Sequence, residues 1–95
     1  MISIKTEQEL DLMRRSGEVL RSCFLRIEEV LLPGVTTGEL DRVAEEFIRS
    51  NDSIPAFKGY RGYPASVCTS VNEEVVHGIP GPRELKEGDI VGIDM

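Results

Sequence analysis

Apolar residues recur at steps of three and four along the first third of the chain: Leu10, Met13, Gly17, Leu20, Phe24, Ile27 and Leu31. That period predicts one long amphipathic helix over residues 7–31. Thr6 followed by Glu9 makes a capping-box pattern at its start, and Pro33-Gly34 ends it. Cys23 lies near the stripe and reads as a buried thiol in the core. A second helix over residues 37–50 presents Leu40, Val43, Ala44, Phe47 and Ile48 on one face, with Thr36 and Glu39 repeating the capping pattern. Two helices joined by so short a turn should pack antiparallel. Asn51-Asp52-Ser53 closes the second helix, and Pro55 keeps the following residues extended.

Residues 57–65 lose all periodicity and read as a loop, with Gly59, Gly62 and Pro64 interleaved with Tyr60 and Tyr63. From Ser66 the period becomes two. Val67, Thr69 and Val71 share one face; Ser66, Cys68 and Ser70 share the other. Asn72-Glu73-Glu74 predicts a hairpin connection, Val75-Val76-His77 its returning strand, and Gly78 to Pro82 a turn-rich loop. After a turn at Gly88-Asp89, Ile90 to Met95 begins another strand. The order helix, helix, loop, hairpin, strand is α+β, with the helix pair covering one face of a small antiparallel sheet. Nothing in the chain covers the other face or pairs beyond the last strand. Both points predict an incomplete domain.

Ninety-five residues make one small domain at most. The net charge of −6 argues against nucleic acid or an anionic membrane as the main ligand. The apolar runs are too short to span a bilayer, and MISIKTEQEL lacks the apolar core of a signal peptide. Cys23 and Cys68 form no CxxC, so two reduced thiols and a cytoplasmic location are expected.

The chemistry gathers between Gly59 and Pro80, which hold both tyrosines, one of the two cysteines and the only histidine. Tyr60, Tyr63 and Cys68 could wall an apolar pocket suited to a thioether; taken alone, ordinary packing beneath a loop is the simpler reading of them. Cys68 has no basic neighbour in sequence to activate it as a nucleophile. His77 closes a strand ahead of a loop, a position suited to proton transfer or substrate hydrogen bonding, or to an ordinary surface histidine. In the last strand Val91, Ile93 and Met95 share one face and Ile90, Gly92 and Asp94 the other. Asp94 is therefore either a ligand-type carboxylate beside a gap left by Gly92 or the solvated start of a turn. Glu73 and Glu74 read as a solvated hairpin tip, and residues 59–62 lack the spacing of a phosphate loop.

Taken together, GYPASVCTSVNEEVVHGIP at 62–80, PGVTTGELD at 33–41 and GDIVGID at 88–94 resemble the type I methionine aminopeptidases. The resemblance runs from ISIKT at 2–6 to GIDM at 92–95. It implies a pita-bread fold, in which two similar αβ halves surround a dinuclear metal site. The 95 residues would then be the N-terminal portion of a single metallo-aminopeptidase domain, ending before its C-terminal half.

Enzymes of that family remove the initiator methionine from nascent proteins. They use two divalent metal ions (Co, Mn, Fe or Zn) held by two Asp, one His and two Glu. Asp94 matches the first of these ligands; the other four would lie downstream of Met95. His77 matches the catalytic histidine that contacts the substrate near the scissile bond. Tyr60, Tyr63 and Cys68 match the wall of the methionine pocket, with Phe57 at a more variable wall position.

The resemblance implies as partners a peptide with N-terminal methionine and the ribosome, with neither nucleic acid nor membrane as a main ligand. The whole enzyme would be a monomer. The 95 residues alone are expected to be inactive and to self-associate through apolar surface on the open sheet face. A proline-specific peptidase is the nearest enzymatic rival. The alternative from another class is a non-catalytic pita-bread relative that binds ribosomes or other proteins, against which the retention of Asp94 and His77 speaks.

Overall fold

Helix α1 begins where the capping pattern places it. In a computed structural model describing residues 4–73 and 78–95, α1 runs Glu7–Val30. The Thr6 hydroxyl accepts the Glu9 N–H at 3.1 Å, and the Glu9 carboxylate accepts the Thr6 N–H at 3.0 Å. Two of the helix's orphan donors are thereby satisfied. Helix α2 runs Thr37–Ser50, with the Thr36 hydroxyl accepting the Glu39 N–H at 3.1 Å. The helices are antiparallel, since Ser16 and Val19 share a cleft with Asn51–Ser53 while Cys23 meets Ala44 further along.

The face that α1 buries differs from the predicted stripe. The inward residues are Val19, Cys23, Ile27 and Val30. Met13 is 56% exposed, and Leu10, Phe24 and Leu31 also face solvent. Cys23 decides this. Its thiol lies 3.8 Å from the Ala44 carbonyl oxygen, an approach that only two small side chains permit. Successive helix positions are 100° apart, so facing Cys23 toward α2 swings Phe24 away. Residues 7–18 of α1 are exposed at every position.

Strand β1, Cys68–Val71, pairs antiparallel with β2, Val91–Asp94. Cys68 stands opposite Asp94, Thr69 opposite Ile93, Ser70 opposite Gly92 and Val71 opposite Val91. Exposure alternates along β2 as predicted, whereas in β1 the outward Cys68 is buried as well. Val67, Thr69 and Val71 are buried, and Val91, Ile93 and Met95 pack with them onto Ile27, Leu40, Ala44 and Ile48. The predicted returning strand, Val75-Val76-His77, lies outside the described residues.

Asn72 ties the end of β1 to the start of β2. Its side-chain oxygen accepts the Ile90 N–H, its amide donates to Asp89, and its own N–H donates to the Ile90 carbonyl. It does so at φ 53°, a left-handed conformation that Asn tolerates.

The stretch 81–85 pairs with the approach to α2. Leu85 exchanges bonds with Gly34 and Val35, and Thr37 N–H donates to the Arg83 carbonyl. Gly38 N–H donates to the Gly81 carbonyl at 2.8 Å, and the buried Thr37 hydroxyl accepts the Gly81 N–H at 2.9 Å. A Cβ on Gly38 would stand 3.0 Å from that carbonyl oxygen, so a side chain there would push the loop off the helix. The turn-rich loop after Gly78 is therefore anchored at its far end. No helix among the described residues is long and apolar enough to cross a membrane.

The inward line of α1 makes a direct prediction for the 95-residue chain. Ile27→Ala, at a residue 2% exposed, should cost about 2–5 kcal/mol. Met13→Ala should cost under about 0.5 kcal/mol. Urea denaturation of both variants measures the difference, and equal losses would refute this burial pattern.

Candidate active site

The outward face of the sheet is built from Cys68 and Ser70 on β1 and Gly92 and Asp94 on β2. Directly opposed residues in an antiparallel pair lie about 5 Å apart at Cα, so Cys68 and Asp94 are neighbours. Gly92 has no side chain and Asp94 is exposed, so this part of the face is open. Among the described residues the exposed large apolar side chains lie mainly on α1 and in loops, with Ile90 exposed just before β2.

Cys68, although on this outward face, is only 6% exposed, because the loop before β1 folds over it. That loop and Cys68 line an open cavity of about 510 Å³ whose walls include Phe57, Tyr60, Tyr63, Cys68 and Ile79. All three pocket residues inferred from the sequence line it, as does Phe57. Gly59 at φ 83° and Gly62 at φ 80° let the loop turn tightly between the tyrosines. Phe57 and Tyr63 meet edge to face with ring centroids 6.3 Å apart, an arrangement aromatic pairs favour. The Arg61 guanidinium lies 5.3 Å from the centre of the Tyr60 ring, holding that exposed ring at the rim.

The Tyr63 hydroxyl donates to the Val67 carbonyl at 2.8 Å. Burial pushes its phenol pKa up, and the neighbouring Cys68 and Asp41 add to the shift. Tyr63 therefore stays a neutral donor, its polar tip satisfied by backbone and its ring left to the cavity. Ile79 was not legible as a wall residue. It comes beside Cys68 only because the Thr69 N–H bonds the Gly78 carbonyl at 2.8 Å. A cavity of similar size, about 520 Å³, lies between α1 and the end of α2. It shares no residue with the first and contains none of the predicted site residues.

Two carboxylates on α2 hold the pocket loop, and neither was singled out from the sequence. Asp41 accepts the N–H groups of Ser66 and Val67 through one oxygen, at 2.7 and 2.9 Å. Glu45, one turn on, accepts the Ser66 hydroxyl at 3.0 Å, the Arg49 guanidinium at 3.0 Å and the Lys58 ammonium. The Lys58 bond, with Arg49 and Ser66 assisting against partial burial, pulls the Glu45 pKa down to about 2. The available signal was Asp41 and Glu45 at i, i+4 on a helix whose apolar positions lie elsewhere.

His77 lies outside the described residues, so its geometry forms no part of this site. Asp94 offers one oxygen-donor side chain. Among the described residues no three His, Cys, Asp or Glu side chains gather as a metal site. One carboxylate falls short of a dinuclear centre, so the described residues do not make one.

Residues 11–95 match the sequence model of metallopeptidase family M24. The chain belongs to that family. This M24 chain is 54% identical over 94 residues to a methionine aminopeptidase of Clostridium perfringens, an alignment covering 99% of the chain and 38% of that protein. Its structure matches the crystal structure of methionine aminopeptidase from Thermotoga maritima at a TM-score of 0.94 and 40% identity, over 98% of this chain and 38% of the other. The methionine aminopeptidase from Rickettsia prowazekii matches at 0.93 and 44% identity, over 99% and 38%. The chain therefore has the fold of the N-terminal part of these pita-bread enzymes and spans about 38% of their length.

The Glu45 cluster sets an acid limb for folding. Its folded pKa of about 2 lies below the ordinary 4.5, so its contribution is complete above pH 4.5 and is lost as pH falls toward 2. Glu45→Gln should remove that part of the pH dependence. The gap in urea midpoint between wild type and Glu45→Gln should be widest near neutrality and close toward pH 2. A gap constant with pH would exclude the ion-pair account.

Proposed function

We propose that this M24 chain is part of a metal-dependent aminopeptidase that removes the N-terminal methionine from peptides. The observation that carries the reading is one sheet pair. Cys68 walls an apolar cavity with Tyr60, Tyr63 and Phe57, and Asp94 stands directly across the sheet on the open side. A methionine side chain is unbranched and polarisable, and its sulfur is favoured against aromatic edges and a thiol. Seated in the cavity, it brings the first peptide bond toward Asp94.

In this reading Asp94 is one ligand of a divalent metal pair, with the other donors supplied from outside these residues. Such ions supply a water of lowered pKa and a Lewis acid for hydrolysis. Co, Mn, Fe and Zn all suit a site of carboxylate and imidazole ligands. The chain's own residues bind and orient. Tyr63 and Phe57 fix the cavity wall, Tyr60 and Arg61 form its rim, and Cys68 forms its floor beside Asp94. His77 hydrogen-bonds the substrate near the scissile bond. The 54% identity to a methionine aminopeptidase supports the same assignment.

The test compares release from Met-Ala-Ser with release from X-Pro peptides by the whole protein, with each metal supplied. Methionine should be released and X-Pro peptides left intact; the opposite preference would refute the methionine reading. Asp94→Asn should lower kcat/KM by more than about 100-fold, since even residues behind metal ligands cost 10–100-fold. The 95-residue chain alone should release no methionine under any of these metals.

A further inference from the structure

The pocket loop is held at both ends by one face of α2. At its start, Lys58 follows the wall residue Phe57 and binds Glu45. At its end, Ser66 and Val67 donate both backbone N–H groups to Asp41, and the Ser66 hydroxyl donates to Glu45. Between these points lie Tyr60, Tyr63 and the turn glycines. Ser66 and Val67 are 1% and 0% exposed, so water does not compete for their N–H groups. The constraint continues inward. Val67, pinned through its N–H, offers its carbonyl to the Tyr63 hydroxyl at 2.8 Å. The next residue, Cys68, is the cavity floor and the partner of Asp94. One carboxylate oxygen thus fixes a wall residue, the floor residue and the entry of β1 together.

We infer that Asp41, assisted by Glu45, is a positioning residue that sets the shape of the cavity and hence which N-terminal side chain it accepts. Neither carboxylate lines the cavity. Their effect runs through the loop: Asp41 through Val67 to Tyr63 and Cys68, and Glu45 through Lys58 to Phe57. The inference rests on the methionine reading for its substrate, while its geometry stands apart from that reading. Asp41 matters more because it holds two buried N–H groups. Glu45 reaches the buried end of the loop only through the Ser66 hydroxyl, and its two cationic partners, Arg49 and Lys58, are about half exposed.

The experiment measures kcat/KM of the whole protein, with metal supplied, on Met-Ala-Ser and on counterparts headed by norleucine and leucine. Asp41→Ala should lower kcat/KM for methionine by about 10- to 100-fold, the scale of a roughly 1 Å misplacement, and bring the methionine-to-leucine ratio toward one. Asp41→Asn keeps an acceptor oxygen in place and should restore most of that ratio. Asp41→Ser, whose shorter side chain falls short of both N–H groups, is the readable variant if Asp41→Ala fails to fold. Glu45→Gln should shift the ratio less than Asp41→Ala, and Glu46→Gln, an exposed control on α2, should leave it unchanged. A lower urea midpoint with the substrate ratio unaltered in Asp41→Ala would reduce Asp41 to a structural role and overturn the proposal.

A second measurement separates this outcome from failure of the methionine reading. In the whole protein, Asp41→Ala should weaken hydrogen-exchange protection at the Ser66 and Val67 amides and move the Tyr63 ring resonances, and Asp41→Asn should keep most of both. If the wild-type whole protein releases no methionine, the substrate assignment falls and these signals alone decide the positioning role. Unchanged protection and ring shifts would then overturn it.

Discussion

The pairing register of β1 on β2 is the constraint on which the rest of the chain depends. With Cys68 opposite Asp94, the residues Val67, Thr69 and Val71 turn inward together with Val91, Ile93 and Met95. The same register turns Cys68, Ser70, Gly92 and Asp94 outward. Slippage by one residue of either strand would carry its apolar set out of the core and its chemistry into it. The core and the candidate site are thus two faces of one decision. Asn72 guards it from the turn end by bonding Asp89 and both backbone groups of Ile90.

Helix α2 is the hub that this sheet packs against, and each of its faces has a separate task. Leu40, Ala44 and Ile48 supply the centre of the core. Its first turn binds the stretch 81–85 through Thr37 and Gly38, which holds the end of the loop that carries Ile79 to the cavity. Asp41 and Glu45 hold the pocket loop from the other side. The open cavity is therefore lined by segments with little regular structure of their own. Their positions come from hydrogen bonds to a helix that does not line it. This arrangement lets an irregular loop be placed as firmly as a strand.

Much of this was legible in the sequence. Both capping threonines, the two helices, the change of period at Ser66 and the alternation in β1 and β2 all reflect local rules. They depend on residues within a turn or a strand of one another. The pocket wall was legible as a cluster of Phe57, Tyr60, Tyr63 and Cys68 because these residues lie close together in the chain. The buried face of α1 was not legible. Two adjacent apolar stripes share the same period, and only the contact of Cys23 with Ala44 chooses between them. Asp41 and Glu45 were not legible either, because surface carboxylates on a helix ordinarily meet only solvent or a neighbouring cation.

The sequence by itself determined where the helices start, which strand residues alternate, and which side chains could meet a thioether or a metal ion. These follow from spacing, and spacing is local. Only the tertiary structure decided that Cys68 faces Asp94, that Ile79 joins the cavity, and that two carboxylates of α2 hold the loop between. Each of these is a contact between segments well separated along the chain. Their geometry is set by how the sheet, the helix pair and the loop pack together, and no local pattern encodes it.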